Sequence, residues 1–531
     1  MNSIYIPNYD FLEPTSEKVS GAVKSLLSED QLCIGSNIPK GWIDAPLKSV
    51  HRLEYWKELV KSLVLPETQY QYIIGMGGSV LGASALMENP FTQSELKTYY
   101  LDSNHPCFID DIVANMDFST SMFVVCSKSG TTKETLSLFS FFLNRCIDQL
   151  GVDEAMRRFV SVTDPNSPLQ DVSDDMGISV VHSDPDIGGR FSILSSLSII
   201  PSLMSGVDLT EIIHGAERAM NGCLRTELNA EIEYRVPSLL NWLKDDRDKL
   251  SIYVPRSLES FGLWLVQLIA ESLGKNQLGF IPVLRYLDCE TDIEPYDDEC
   301  CLIINDGSII QGINSSADNK SARNISSVME IDIYDSGKLG QEFYYWEFSV
   351  ALIGLMLKIN PFDQPDVELS KSIFKKMEFQ DVSDIPSCPD LGKEVFEEIN
   401  ARVEFGKYIA ILAYLNPSDI YRETFEILRY QLESFCCVPV ILDFGPRYLH
   451  STGQLYKGGP ESGLFIQILE EGYPHQLKSK ELIESYAQMV WQAQSDYEAM
   501  EKLGIFVFRR SIPFDDLEPV QNLINEMSDF S

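Results

Sequence analysis

The sequence predicts an α/β protein of two domains, each an αβα sandwich with a mainly parallel central sheet. Three observations predict it. The chain has 531 residues, 44% of them apolar; at roughly 100–200 residues per domain it needs more than one core and can fill several. A short, wholly apolar strand followed by a Gly-, Ser- or Thr-rich turn and a helix-period segment recurs along it. Strands apolar on both faces and alternating with helices belong to parallel sheets covered on both sides. Finally, Asp208–Pro237 carries helical periodicity without a strand pattern and separates two such runs.

Taken in order, an N-terminal arm is expected over residues 1–45. A first domain over 46–225 holds strands at Tyr70–Met76, Ser121–Cys126, Phe159–Thr163 and Ile178–His182, with a helix over about Thr131–Leu150. A second, over 226–480, holds strands at Leu250–Val254, near Phe280–Tyr286 and at Cys301–Ile304, a helix at Ser257–Gly274 and another over about Gln341–Ile359. Residues 481–531 read as a helical tail. The longest apolar stretches, near Phe191–Val207 and Phe348–Leu357, fall short of the ~20 residues that span a bilayer.

Composition narrows the function. With 42 Lys+Arg against 79 Asp+Glu the net charge is −37. That argues against nucleic acid, whose phosphates need clustered cations, and against anionic membranes. An anionic substrate would need a local exception in this acidic surface. Eleven cysteines without a CxxC, and a start without a basic-then-apolar signal, predict reduced thiols in the cytoplasm. With no clustered His/Cys spacing, neither a metal nor another cofactor is expected.

In open parallel sheets ligands bind beyond the carboxyl ends of strands, so the turns there are the candidates. Gly75-Met-Gly-Gly-Ser79 follows a strand and opens a helix. It is neither a dinucleotide nor a Walker A loop, and reads as a tight turn or as an anion cradle in which Gly78 and Ser79 offer close donors. The stretch Ser127, Lys128, Ser129, Gly130, Thr131, Thr132 also lies between strand and helix. One helix cap needs one hydroxyl; four hydroxyls suit a phosphomonoester.

Charges in apolar settings are the other candidates. Phe261–Gly274 is apolar on nearly all sides, interrupted by Gln267 and Glu271 at i and i+4, hence on one face. Glu271 is either a structural, paired glutamate or a base whose pKa burial raises. Arg190, in Gly188-Gly-Arg-Phe-Ser192, is an ion-pair partner or the electrophilic element of a site. Lys371, read as lying in the first turns of a helix after Pro365, is at the end where cations are disfavoured, which suggests a specific partner. His450, one of six histidines, lies in the Gly-rich stretch Gly445–Gly459, read as a loop.

Together GMGGS, SKSGTT, GGRFS, Gln267-x-x-x-Glu271-Ser in ESLGK, and INPFDQPDVELSK resemble glucose-6-phosphate isomerase, in that family's order, over about residues 70–375. From about Gln341 onward the chain resembles the isomerase half of bifunctional transaldolase/glucose-6-phosphate isomerase proteins, which carry a GPRxLHSTGQLxKGGP element. With about 70 residues before the first isomerase motif, no transaldolase domain is expected. The resemblance implies two SIS-type domains, a homodimer, and interconversion of glucose 6-phosphate and fructose 6-phosphate. It implies that Gly78, Ser79 and Ser127–Thr132 contact the substrate and its phosphate, Arg190 stabilises the enediolate, and Gln267 and Glu271 hold and deprotonate the sugar. Lys371 would assist ring opening. Two features depart from the pattern: Asp366 stands where the family has glycine, and no histidine occurs from 272 to 449. His450 is the expected substitute, with His105 and His182 as alternatives. A sugar-phosphate sensor without activity, or an isomerase of another sugar phosphate, are the competing readings.

Overall fold

The computed structural model describes residue 9 and residues 12–28, 38–225, 227–287, 296–308, 327–376, 387–403, 406–471 and 479–528. Parts of the expected N-terminal arm lie outside these; its described portion includes the helix Ser16–Leu27. The chain forms two compact units, one of Ile6–Asp102 with Asp117–Asp363, the other containing Ser103–Met116 and Gln364–Ser531.

The larger unit contains two sheets. The first has strands β1 (Tyr70–Gly75), β2 (Lys97–Leu101), β3 (Ser121–Cys126), β4 (Phe159–Thr163) and β5 (Ser179–His182), in the order β2-β1-β3-β4-β5. The second has β6 (Lys249–Val254), β7 (Ile281–Tyr286), β8 (Glu299–Asn305) and β9 (Val328–Asp332), in the order β7-β6-β8-β9. All their pairings are parallel, as wholly apolar strands such as SMFVVC require. The expected boundary at residue 226 falls between the two sheets.

One apolar core runs through both sheets of this unit. At its centre the helix Gly78–Met87 has all ten residues buried. Its small side chains let it pack against the helices Ser196–Met204 and Glu259–Leu273. The latter begins after a short turn at Arg256–Leu258 and ends at Leu273. The long helix near the expected Gln341–Ile359 runs from Ser336 to Met356.

The smaller unit holds a third sheet that the sequence reading did not resolve. Strands β10 (Tyr408–Tyr414), β11 (Val440–Phe444), β12 (Gly463–Glu471) and β13 (Val507–Pro513) lie in the order β11-β10-β12-β13, again all parallel. Ile409, Ile411, Phe425, Leu428, Ile466 and Phe508 belong to its separate core. The stretch read as a helical tail holds the helices Lys480–Lys502 and Glu518–Ser528 with β13 between them. Among the described residues no cysteine is bridged, and no helix is long and apolar enough to cross a membrane.

Candidate active site

The first sheet reverses its winding between β1 and β3: β1 connects onward to β2 on one side, β3 to β4 on the other. Such a switch point leaves a crevice beyond the strand ends. Gly75 and Cys126 are register partners there, so GMGGS and SKSGTT emerge side by side.

Gly77 has φ +56°, which turns the chain into the helix that Gly78 opens. A Cβ at Gly78 would lie 2.5 Å from Gly189 O and 3.0 Å from Arg190 N. The GMGGS and GGRFS turns therefore touch backbone to backbone, which glycine alone permits. Ser79 follows in the first helical turn and is buried.

In the neighbouring turn Gly130 has φ +64°, and a Cβ there would lie 2.8 Å from Leu169 N. Ser127 Oγ is buried and makes no hydrogen bond to any described residue. Ser129 and Thr131 share a hydrogen bond of 2.9 Å, and both are exposed. Thr132 holds the cap position of the helix Lys133–Leu150, yet its side chain makes no capping bond. Capping thus does not account for these hydroxyls. Lys128 is committed elsewhere: its ammonium lies 2.6 Å from Asp164 Oδ2 and donates to the carbonyls of Asp184 and Pro185. Its charge is neutralised within the acidic surface.

Arg190 and Glu271 meet. Arg190 Nη1 lies 2.7 Å from Glu271 Oε1, and the side chains are 5% and 9% exposed. Gln267, one turn earlier on the same helix, donates from Nε2 to Glu271 Oε2 at 3.1 Å. Both carboxylate oxygens are thereby fixed. Of the two alternatives for Glu271, the paired carboxylate is the arrangement found. Arg190 also reaches the NPFD turn: Nη2 donates to Pro361 O at 2.8 Å and to Asp363 O at 2.7 Å. Phe191 and Phe362 pack beside these contacts with ring centroids 5.1 Å apart, and Trp42 lies 5.1 Å from Phe191. These large apolar contacts hold the two turns together.

Lys275, the last residue of ESLGK and one that spacing alone gives no role, also enters this region. Its ammonium is almost wholly buried, donates to Asn360 O and lies 3.1 Å from Asp363 Oδ1. Burial, then the neighbouring Arg190, push its pKa down to about 7, against the opposing pull of Asp363 and Glu271.

Lys371 and His450 belong to the smaller unit. Lys371 is the fifth residue of an eight-residue helix, Val367–Phe374, and pairs with Glu368 at 2.7 Å. The helix ends three residues later at Phe374, so Lys371 falls in its last turn rather than only its first. There the dipole favours a cation, which corrects the argument that its position is disfavoured. The departure at Asp366 has a structural counterpart. Its N–H donates to Gln454 Oε1 at 3.0 Å, and its carboxylate accepts from Gln454 Nε2. A side chain at Gly458 would run into that carboxylate.

The stretch Gly445–Gly459 is more ordered than a loop. It forms a turn at Arg447–His450 and a buried helix at Gly453–Gly458. Asp496 anchors it, 2.6 Å from Lys457 Nζ and accepting from Tyr448 OH and Ser370 Oγ. His450 ends the turn, half-buried. Of the alternatives, His105 is fully buried with Nε2 2.7 Å from Glu470 Oε2, and His182 is exposed at the end of β5.

Parallel sheets, a donor-lined turn at a switch point and a buried carboxylate held by arginine and glutamine define an α/β protein with a candidate anion-binding and acid–base site beyond its strand ends. Residues 68–277 match the phosphoglucose isomerase family model. The chain is 27% identical over 426 residues to the glucose-6-phosphate isomerase of Bacillus cytotoxicus, covering 68% of this chain and 89% of that one. It is 28% identical over 457 residues to that of Listeria monocytogenes, covering 74% and 94%. Two solved structures share the fold. A hypothetical protein from Thermus thermophilus superposes with a TM-score of 0.58 at 24% identity, over 70% of this chain and 98% of that one. A glucose-6-phosphate isomerase from Chlamydia trachomatis does so with 0.51 at 20% identity, over 72% and 81%.

Proposed function

We propose that this chain catalyses the reversible isomerisation of glucose 6-phosphate and fructose 6-phosphate through ring opening and a cis-enediol. The observation that carries the proposal is Glu271, a buried carboxylate aligned by Gln267 and Arg190 in the stretch that matches the family. The curated relatives named above bear the name of this activity.

In this reading Glu271 removes the proton from C2 of the open-chain aldose and returns it to C1. Arg190 stands beside it to stabilise the negative oxygen of the enediolate, and a positive charge held in a buried site acts strongly there. Gln267 holds the carboxylate and the sugar. Gly78, Ser79 and the turn Ser127–Thr132 contact the substrate, and that turn binds its 6-phosphate. Hydroxyls and backbone N–H groups do most of that work, and Lys128 contributes as part of its Asp164 pair. Lys371 and His450 open the pyranose ring, which needs a proton donor to O5 near neutral pH, a range that suits histidine. The reaction moves hydrogen within one molecule and calls for no cofactor.

The first domain thus supplies the phosphate turns and the second the base. The protein works in the cytoplasm, in keeping with the unbridged cysteines among the described residues, and as a homodimer, as the family resemblance implies. A coupled assay, with fructose 6-phosphate as substrate and glucose-6-phosphate dehydrogenase as reporter, tests the function. Turnover that mannose 6-phosphate does not match is expected; no turnover of fructose 6-phosphate refutes it. Light scattering in solution tests the dimer.

A further inference from the structure

Two cations from different sequence motifs hold one turn. Arg190 of GGRFS takes the carbonyls of Pro361 and Asp363, and Lys275 of ESLGK takes the carbonyl of Asn360 and the carboxylate of Asp363. Asn360 Nδ2 adds a bond of 3.0 Å to Asp363 Oδ2, and Phe362 N donates to Asn360 Oδ1 at 3.0 Å. The turn is therefore fixed at every residue from 360 to 363.

Arg190 has few ways to face Glu271. Its Nε and Nη2 are committed to the turn, and Nη1 is the group left for the carboxylate. Where the turn sits decides where Nη1 points. We propose that Lys275 is a positioning residue of this site: by pinning the Asn360–Asp363 turn it sets the direction in which Arg190 meets Glu271.

An isolated ammonium 3% exposed is costly to bury and persists where specific partners need it. Burial lowers its pKa, and Asp363 and Glu271 offset part of that shift. A residue that merely filled space would be apolar. The inference rests on the reading of Glu271 as the base and Arg190 as its partner, and adds to it a residue that touches neither substrate nor reacting atoms.

The test compares the full-length protein with Lys275→Met and Lys275→Arg. Hydrogen exchange of a peptide spanning Ile359–Gln364 reports on the turn whether or not the protein is an isomerase. Lys275→Met should raise its exchange rate at least ~10-fold while peptides of the β1–β5 sheet stay protected. With fructose 6-phosphate, Lys275→Met should lower kcat ~10- to 100-fold with KM within ~3-fold, because the phosphate turn is untouched. Lys275→Arg should restore most of kcat. Unchanged exchange in Lys275→Met overturns the clamp. Faster exchange with unchanged kcat, or a loss shared equally by all peptides, overturns the positioning role. An inactive wild-type protein whose turn still loosens in Lys275→Met refutes the isomerase reading and leaves the clamp standing.

Discussion

Arg190 and Glu271 form a buried ion pair at 2.7 Å between two motifs that lie 81 positions apart in the chain. The pair has consequences for stability and for rate that separate on mutation. Arg190→Met leaves Glu271 buried without its counter-charge, and a stability loss of about 3–5 kcal/mol is expected by denaturant unfolding. Arg190→Lys keeps the charge but cannot bond Pro361 O, Asp363 O and Glu271 together. It should lower kcat more than it raises KM. An effect confined to KM marks Arg190 as a phosphate ligand instead.

The turn Ser127–Thr132 is expected to bind phosphate through hydroxyls, since Lys128 is held by Asp164. Ser127→Ala and Thr132→Ala should each weaken 6-phosphogluconate by about 1–3 kcal/mol, the loss of a donor to a charged group. Calorimetric titration measures it. Unchanged affinity in both places the phosphate elsewhere.

His450 is expected to act in ring opening. His450→Ala should impair turnover of the cyclic hexose phosphate and spare a sugar phosphate that cannot close its ring. Equal defects on both point to positioning, and no defect on either removes His450 from the site.

Glu347 supplies a pH dependence of stability. It is fully buried, neither carboxylate oxygen makes a hydrogen bond among the described residues, and burial raises its pKa well above the usual carboxylate range. A folded pKa above the unfolded one means stability fully present below the unfolded value, about 4.3. That contribution is lost as pH rises toward the folded pKa, by up to about 1.4 kcal/mol per pH unit. Glu347→Gln does not titrate. The stability of wild type relative to Glu347→Gln should therefore fall between about pH 4.5 and 7, as followed by urea midpoints.

Much of the first two sheets was legible because β1, β3, β4 and β6 are apolar runs ended by Gly, Ser or Pro. The edge strands were not: β2 is KTYYL and half-exposed, and β9 is VMEID with alternating burial, so neither reads as a buried strand. In the third sheet β10, YIAILAY, is apolar throughout and carries the required pattern. Its neighbours β12 and β13 bury Gln467 and partly bury Arg509, which donate to Ala493 O and Gln494 Oε1, partners that local periodicity cannot show. The site was legible to the same extent. Glu271 and Gln267 share a helix face by spacing alone, whereas the pairing of Lys128 with Asp164 and the approach of Lys275 to Asp363 depend on contacts distant in sequence.

The central claim is that Glu271 carries the proton between C2 and C1, and Glu271→Gln tests it most directly. The amide keeps the size of the carboxylate and removes the base. With fructose 6-phosphate in tritiated or deuterated water, the variant should lose about 10²–10⁴-fold in kcat, retain 6-phosphogluconate binding, and fail to exchange solvent hydrogen into the sugar. Hydrogen exchange at the wild-type rate in a folded Glu271→Gln protein would contradict the account.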